Sequence, residues 1–156
     1  MIGGIAMWIG TQFSVFMVNK PGVLAQVLTE IAKAKVNTLA LTVMDSAEHG
    51  VLRVVFDDPV KAREVLSGLN MPFNETDVLC ITLENKSGAL ATVMERLAKA
   101  HINVCYAYCT AGAKGGKTTG VVKVPDVRKA MRILDQAQRR MEKTGPTIRL
   151  PNAKKR

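Results

Sequence analysis

Histidine and cysteine, the residues that most often carry nucleophilic or metal chemistry, are scarce here: two and three copies in 156 residues. His49 and His101 lie far apart, no cysteine falls in a triad-like pattern, and no metal-ligand spacing occurs. Neither catalysis nor a metal or cofactor is expected. Cys80, Cys105 and Cys109 are odd in number, lack a CxxC spacing and sit in apolar runs, so reduced, buried thiols are expected rather than a disulfide framework. Aromatic residues are also few and scattered, which argues against a stacking platform for single-stranded nucleic acid. No run approaches the roughly 18 apolar residues of a membrane span. Met1 to Gly10 is apolar but lacks the basic start and the length of a secretory signal. The expectation is a cytoplasmic chain with no membrane segment.

Acidic residues are short in one region only. The net charge is +9, and from Lys123 to Arg156 eleven Lys or Arg face three acids, so +8 of it lies there and +1 is left for the first 122 residues. A solvated helix face with a basic tail accounts for this. So does a docking surface for an anionic partner, an acidic protein or nucleic acid.

What the chain does have is a duplication. Asn19-Lys20-Pro21-Gly22-Val23-Leu24-Ala25 returns 66 positions later as Asn85-Lys86-Ser87-Gly88-Ala89-Leu90-Ala91, and the match runs on to Asn37 and Asn103. A packing repeat alone does not need the asparagines, so function is sought at them. The units, 11–76 and 77–150, are each near the lower size limit for an independent core. Residues 1–10 are left as an N-terminal extension and 151–156 as a basic tail.

Hydrophobic patterning gives both units the same order of elements. Gln12 to Val18 reads as a strand that ends in the Asn-Lys-Pro-Gly loop, and Val23, Leu24, Val27, Leu28 and Ile31 keep helical spacing after it. Val36 to Met44 and Val51 to Phe56 form a hairpin, Asp58-Pro59 opens a second helix closed near Gly68, and Met71 to Glu75 is a short last strand. The second unit repeats this: strand 78–84, helix 89–100, strands 102–110 and 119–124, a helix capped by Asp126, and a last strand at Thr147 to Leu150. Strand, helix, strand, strand, helix, strand is the split βαβ order of the ferredoxin-like fold. The fold class is therefore α+β: two tandem βαββαβ units, antiparallel sheets with the helices on one face. Alternation puts Leu39, Leu41 and Val43 on the helix side, with Cys105, Ala107 and Cys109 as counterparts. On the opposite face Tyr106 and Tyr108 replace Ala40 and Thr42, either lining a ligand surface or filling space against the other unit.

With Asn-Lys-Pro-Gly-Val-Leu after the first strand and Val-Asn opening the second, the chain resembles the ACT domain, a small-molecule regulatory module of amino-acid metabolism. The first unit is similar to the serine-sensing ACT domain of phosphoglycerate dehydrogenase. The whole chain is similar to stand-alone tandem ACT proteins related to acetolactate synthase small subunits. The resemblance covers about residues 11 to 150, leaving little for a catalytic domain. It implies a non-enzymatic, allosteric protein that senses an amino acid at the strand-to-helix loops of paired units, with a homodimer expected. The positions implied to contact ligand are Asn19, Pro21, Gly22, Val23, Leu24 and Asn37, with Asn85, Ser87, Gly88, Ala89, Leu90 and Asn103 in the second copy. The alternative role is a subunit that docks on a biosynthetic enzyme, or on an anionic partner, through its basic C-terminal third.

The chemistry of those residues suits an amino acid on independent grounds. Gly22 and Gly88 let backbone amides approach an anionic group at a helix N-terminus, and asparagine offers both a carbonyl and an amide to a zwitterion. Asparagines that merely satisfy loop backbone remain the plain alternative. Ser87 replaces proline in the second loop, so the two sites need not be equivalent. Ala111 to Thr118 fits a relaxed phosphate-binding loop pattern. It leads into a strand, not a helix, which makes a basic hairpin the better reading.

Overall fold

The computed structural model describes residues 6–45, 49–110 and 116–143. Six strands and four helices follow in the order β1 (Met7–Val18), α1 (Val23–Lys33), β2 (Thr38–Asp45), β3 (His49–Phe56), α2 (Pro59–Gly68), β4 (Phe73–Glu84), α3 (Ala89–Lys99), β5 (Tyr106–Cys109), β6 (Lys117–Lys123) and α4 (Val127–Lys143). The expected strand at Thr147 to Leu150, the basic tail and most of the Ala111 to Thr118 hairpin lie outside the described residues.

The helices start and stop for local reasons. Asp58 accepts a hydrogen bond from the Lys61 amide at 3.0 Å with Pro59 behind it, and Asp126 accepts from the Lys129 amide at 2.9 Å. At the far ends of α1 and α3, Lys35 and His101, 66 positions apart, both turn the chain with positive φ, 58° and 56°. The repeat therefore extends to backbone conformation. Val27 and Ile31 of α1, and Val93 and Leu97 of α3, are the buried stripes that dock each helix.

All six strands form one antiparallel sheet in the order β2-β3-β1-β4-β6-β5. Sequence patterning implies two sheets; the structure joins them because β1 and β4 are long. Gln12 to Val18 of β1 pairs with β3, while Met7 to Val15 pairs with β4 down to Ile81. β1 thus begins at Met7, not Gln12, and β4 is continuous where two strands, 71–75 and 78–84, are expected. Met7 to Thr11 lies beside Ile81 to Asp77, on the side of β4 away from β6. That is the place a ferredoxin-like second unit gives its own fourth strand.

One face of the sheet carries the helices. Phe13, Val15 and Met17 pack with Val27, Ile31, Leu52, Val54 and Leu66 under α1 and α2; Leu79, Ile81 and Leu83 pack with Val93, Leu97, Val122 and Leu134 under α3 and α4. The other face is not left to solvent, because the sheet curls until β2 lies against β5 and β6. Ala40, Val55, Val78, Cys80 and Val121 are buried there, with Trp8, Leu39 and Tyr108 packed around them. Gly10 faces Cys80 so closely that an added Cβ would stand 2.8 Å from the Cys80 sulfur. Burial pushes that thiol up to about 11, against a smaller pull from the Gly10 backbone.

Two expectations about facing are corrected here. Leu39, expected on the helix side, packs on the other face, where the register shifts between Thr38 and Ala40; Leu41 and Val43 are 38% and 46% exposed, and Cys105 and Cys109 are exposed, leaving Cys80 as the buried cysteine. The cause is position. β2 and β5 are the edges of the sheet, and among the described residues α1 to α4 pack chiefly on its middle strands, which leaves helix-side residues of the edges less covered. β5 is also shorter than the apolar run from Ile102 to Thr110 implies.

Candidate functional site

The two repeated loops adopt the same conformation. In the first, the Lys20 amide donates to Val18 at 2.8 Å and the Val23 amide to Lys20 at 3.4 Å; in the second, Lys86 donates to Glu84 at 2.8 Å and Ala89 to Lys86 at 3.3 Å. Gly22 and Gly88 are the helix N-caps with φ of 91° and 85°, a region that glycine enters without steric cost. Neither helix receives a side-chain cap. The first-turn N–H groups, at Leu24 and Ala25 and at Leu90 and Ala91, are thus directed out of the helix end, where its dipole favours an anion.

The asparagines do not converge within a unit. Asn19 follows Val18, which pairs with His49 at the start of β3, whereas Asn37 precedes Thr38, which pairs with Phe56 at its end. Those ends are roughly 25 Å apart at about 3.3 Å per residue. Asn37 is exposed, and its backbone exchanges hydrogen bonds with Asp57 at 2.8 and 3.0 Å. Asn103 is likewise exposed and lies toward the Lys123 end of β6, while the Asn85 amide donates to Gly116 at 2.8 Å at the other end. The loops themselves stand at opposite ends of the β1–β4 ladder, so one small ligand cannot touch both.

A cavity of about 300 Å3 opens at the second loop, lined by Leu83, Glu84, Asn85, Lys86, Ala89, Leu90, Cys109, Thr110 and Thr118. Its volume is at the small end of the range of ligand pockets. Glu84 and Lys86 form an ion pair across it, and the Lys86 hydrogen bond holds the Glu84 carboxyl below the usual carboxylate value. Thr118 donates through its hydroxyl to the Thr110 carbonyl, and the Thr119 amide donates to the Thr110 hydroxyl at 3.2 Å, fixing the far wall. Ser87 is exposed and does not line the cavity. Counting back 66 positions, Glu84 corresponds to Val18, Cys109 to Val43 and Thr110 to Met44. The second loop has a polar wall where the first has apolar side chains that are 46% to 51% exposed.

Sequence reasoning singled out Asn85, Ala89 and Leu90 in this cavity and missed Glu84, Lys86, Cys109, Thr110 and Thr118. The signal for Glu84 was available as a difference between the copies, a carboxylate in place of a valine beside the repeated loop pattern. Tyr106 and Tyr108 are inside the curl of the sheet. Both hydroxyls meet Gln12, and the Arg53 guanidinium lies 3.9 Å from the centre of the Tyr106 ring. Among the described residues no cluster of His, Cys, Asp and Glu is arranged to hold a metal, and no helix is long and apolar enough to cross a membrane.

The sequence pattern of the ACT domain pair matches residues 7–141, starting where β1 starts. The chain belongs to the ACT domain pair family. Among solved structures, protein BT0572 from Bacteroides thetaiotaomicron is 30% identical, covering 84% of this chain and 90% of its own, with a TM-score of 0.76. The fold also resembles the ligand-free regulatory subunit of aspartate kinase from Thermus thermophilus (13% identity, 86% and 97% coverage, TM-score 0.63) and the aspartokinase alpha and beta subunits (21%, 88% and 98%, 0.58). None of the curated proteins matches the chain in sequence. ACT domains are regulatory modules that bind amino acids, and in this pair the two repeated loops are flanked by chemically different side chains.

Proposed function

We propose that this ACT pair is a non-enzymatic amino-acid sensor and that its second loop, Asn85 to Leu90, is the ligand site. The observation that carries the proposal is the meeting of both signs of charge at one small cavity: the Glu84 carboxylate, the Lys86 ammonium and the open N-terminus of α3. A free amino acid carries the complementary pair. Its ammonium takes the Glu84 carboxylate and the Asn85 side-chain carbonyl; its carboxylate takes Lys86 and the first-turn amides after Gly88; its side chain lies against Ala89 and Leu90. The lining meets such a molecule with amides and a single ion pair, and its one thiol, Cys109, is pushed up by partial burial rather than activated, which favours sensing over catalysis.

Asn19, Pro21, Gly22, Val23 and Leu24 frame the equivalent first loop, whose apolar wall suits a weaker or purely structural role. Asn37 and Asn103 do not reach the loop of their own unit, and a second chain can bring them to one. Because each lies at the end of its unit opposite the loop, an antiparallel pairing of β2 or β5 edges about a two-fold axis brings the asparagine of one copy toward the loop of its partner. A homodimer is therefore part of the proposal. An effector signal also needs a recipient, and docking on a catalytic subunit of amino-acid biosynthesis is the complementary role.

Isothermal titration of the full chain against the twenty amino acids tests the reading. One or a few should bind with one site per chain, and Asn85→Ala should weaken them roughly 5- to 150-fold, the loss of about 1 to 3 kcal/mol. No heat from any amino acid at millimolar concentration would remove the sensor function.

A further inference from the structure

The N-terminal half of α4 presents Arg128, Met131, Arg132 and Asp135 at spacings of three and four, so they share one face of the helix. With Met7 and Ile9 of β1 they line an open groove of about 610 Å3. A second hollow of about 600 Å3 shares Ile9 and Arg128 and continues past Lys123 and Asp126 to Glu75 and Asp77. Ile9 is 38% exposed on the floor, beside the partly buried Met7 and Met131. Asp135 is held by Arg139 at 3.1 Å, whereas Arg128 and Arg132 have neither an ion pair nor a hydrogen bond among the described residues.

We infer that this groove is a docking surface for an acidic segment of a partner protein, one that lays an apolar side chain on Met7, Ile9 and Met131 and its carboxylates against Arg128 and Arg132. Charge complementarity selects that occupant. Residues 144–156 of this chain carry four basic residues and no acid, and α4 of a second copy is as basic as the first, so both are repelled by the two arginines. A nucleic acid brings evenly spaced phosphates. In this groove they would find no aromatic ring on which to stack a base and would leave the apolar floor of Met7, Ile9 and Met131 unused. The groove shares no residue with the Asn85 cavity, so the inference stands or falls separately from the amino-acid reading.

Fluorescence anisotropy with the full chain tests it, using as probe a fluorescein-labelled synthetic peptide of roughly fifteen residues built on a Glu-Leu-Glu-Glu-Leu repeat. Saturable binding is expected, weakened about tenfold or more by Arg128→Gln with Arg132→Gln and by a probe in which every Leu is Ser. Lys129→Gln with Lys143→Gln removes the same charge from α4 outside the groove and should cost far less. Absence of saturable binding, equal loss in the two double variants, undiminished binding of the Ser probe, or tighter binding of a labelled DNA duplex of equal charge each overturn the inference. Unchanged circular dichroism of both double variants excludes misfolding as the cause of any loss.

Discussion

The side-chain amide of Gln12 donates 2.8 Å to the hydroxyl of Tyr106, across 94 positions of sequence and between the two units. Its carbonyl accepts from Tyr108 at 3.0 Å, and Gln12 has no exposed surface. Burial is the main reason the Tyr108 phenol is held well above its usual value, with Tyr106 and Cys80 adding to it. The three side chains act as a polar clasp on an otherwise apolar seam, and such groups stabilise only while all are satisfied.

Replacing Gln12 by Leu strands both tyrosine hydroxyls and should lower the unfolding free energy by about 1 to 3 kcal/mol. Urea denaturation checks this. Adding Tyr106→Phe and Tyr108→Phe to the same chain should recover most of the loss, since neither ring then carries a hydroxyl to be satisfied and the half-buried Ser14 hydroxyl is what remains without its bond from Gln12. A triple variant less stable than Gln12→Leu would show that the hydroxyls have other roles.

Gly10→Val should destabilise by about 1 to 3 kcal/mol, because its Cβ would press on the Cys80 sulfur at 2.8 Å in a closed interior. Cys80→Ala opens that space. Thermal unfolding of the two single variants and the double should give a coupling in which Cys80→Ala relieves much of the Gly10→Val penalty.

Thiol labelling should split the cysteines two to one. Cys105 and Cys109 are exposed and should react with a disulfide reagent in the native chain at neutral pH; Cys80, buried with its thiol pushed up to about 11, should react only on unfolding. An amino acid that fills the Asn85 cavity should slow Cys109, which lines it, and leave Cys105 unchanged. Equal protection of both, or of neither, would place the ligand elsewhere.

Acid should weaken the proposed ligand in a definite window. Lys86 lowers the pKa of Glu84 from 4.5, so the carboxylate is ionised above that value and is lost only as pH falls through the lowered one. Affinity should therefore be flat down to about pH 4.5 and drop below it, and Lys86→Gln should move the drop upward. Loss of binding already between about pH 7 and 5 would mean that another group titrates.

Much of this was legible in the residues. The Asn-Lys-x-Gly-x-Leu-Ala duplication located both strand-to-helix loops, and helical spacing from Val23 and from Ala89 located both helices that follow. What periodicity cannot express is which strands are edges and how far a strand runs. Alternation correctly put Leu41 and Cys109 on the helix side, yet no pattern within β2 or β5 says that the helices cover them less. The extension of β1 to Met7 was hidden because Met7 to Gly10 pairs with Ile81 to Val78, a partner 68 to 74 positions away. Asn37 and Asn103 show the same limit: equal spacing from each loop guarantees equivalence between copies, not contact within one.

Because β1 and β4 each pass through both units, a cut between residues 76 and 77 falls in the middle of a strand and leaves the second half without the neighbour supplied by Met7 to Thr11. A graft or a recombinant exchange should therefore carry the pair whole. The sequence repeats a module, and the shared strands tie its two copies into a single inheritable part.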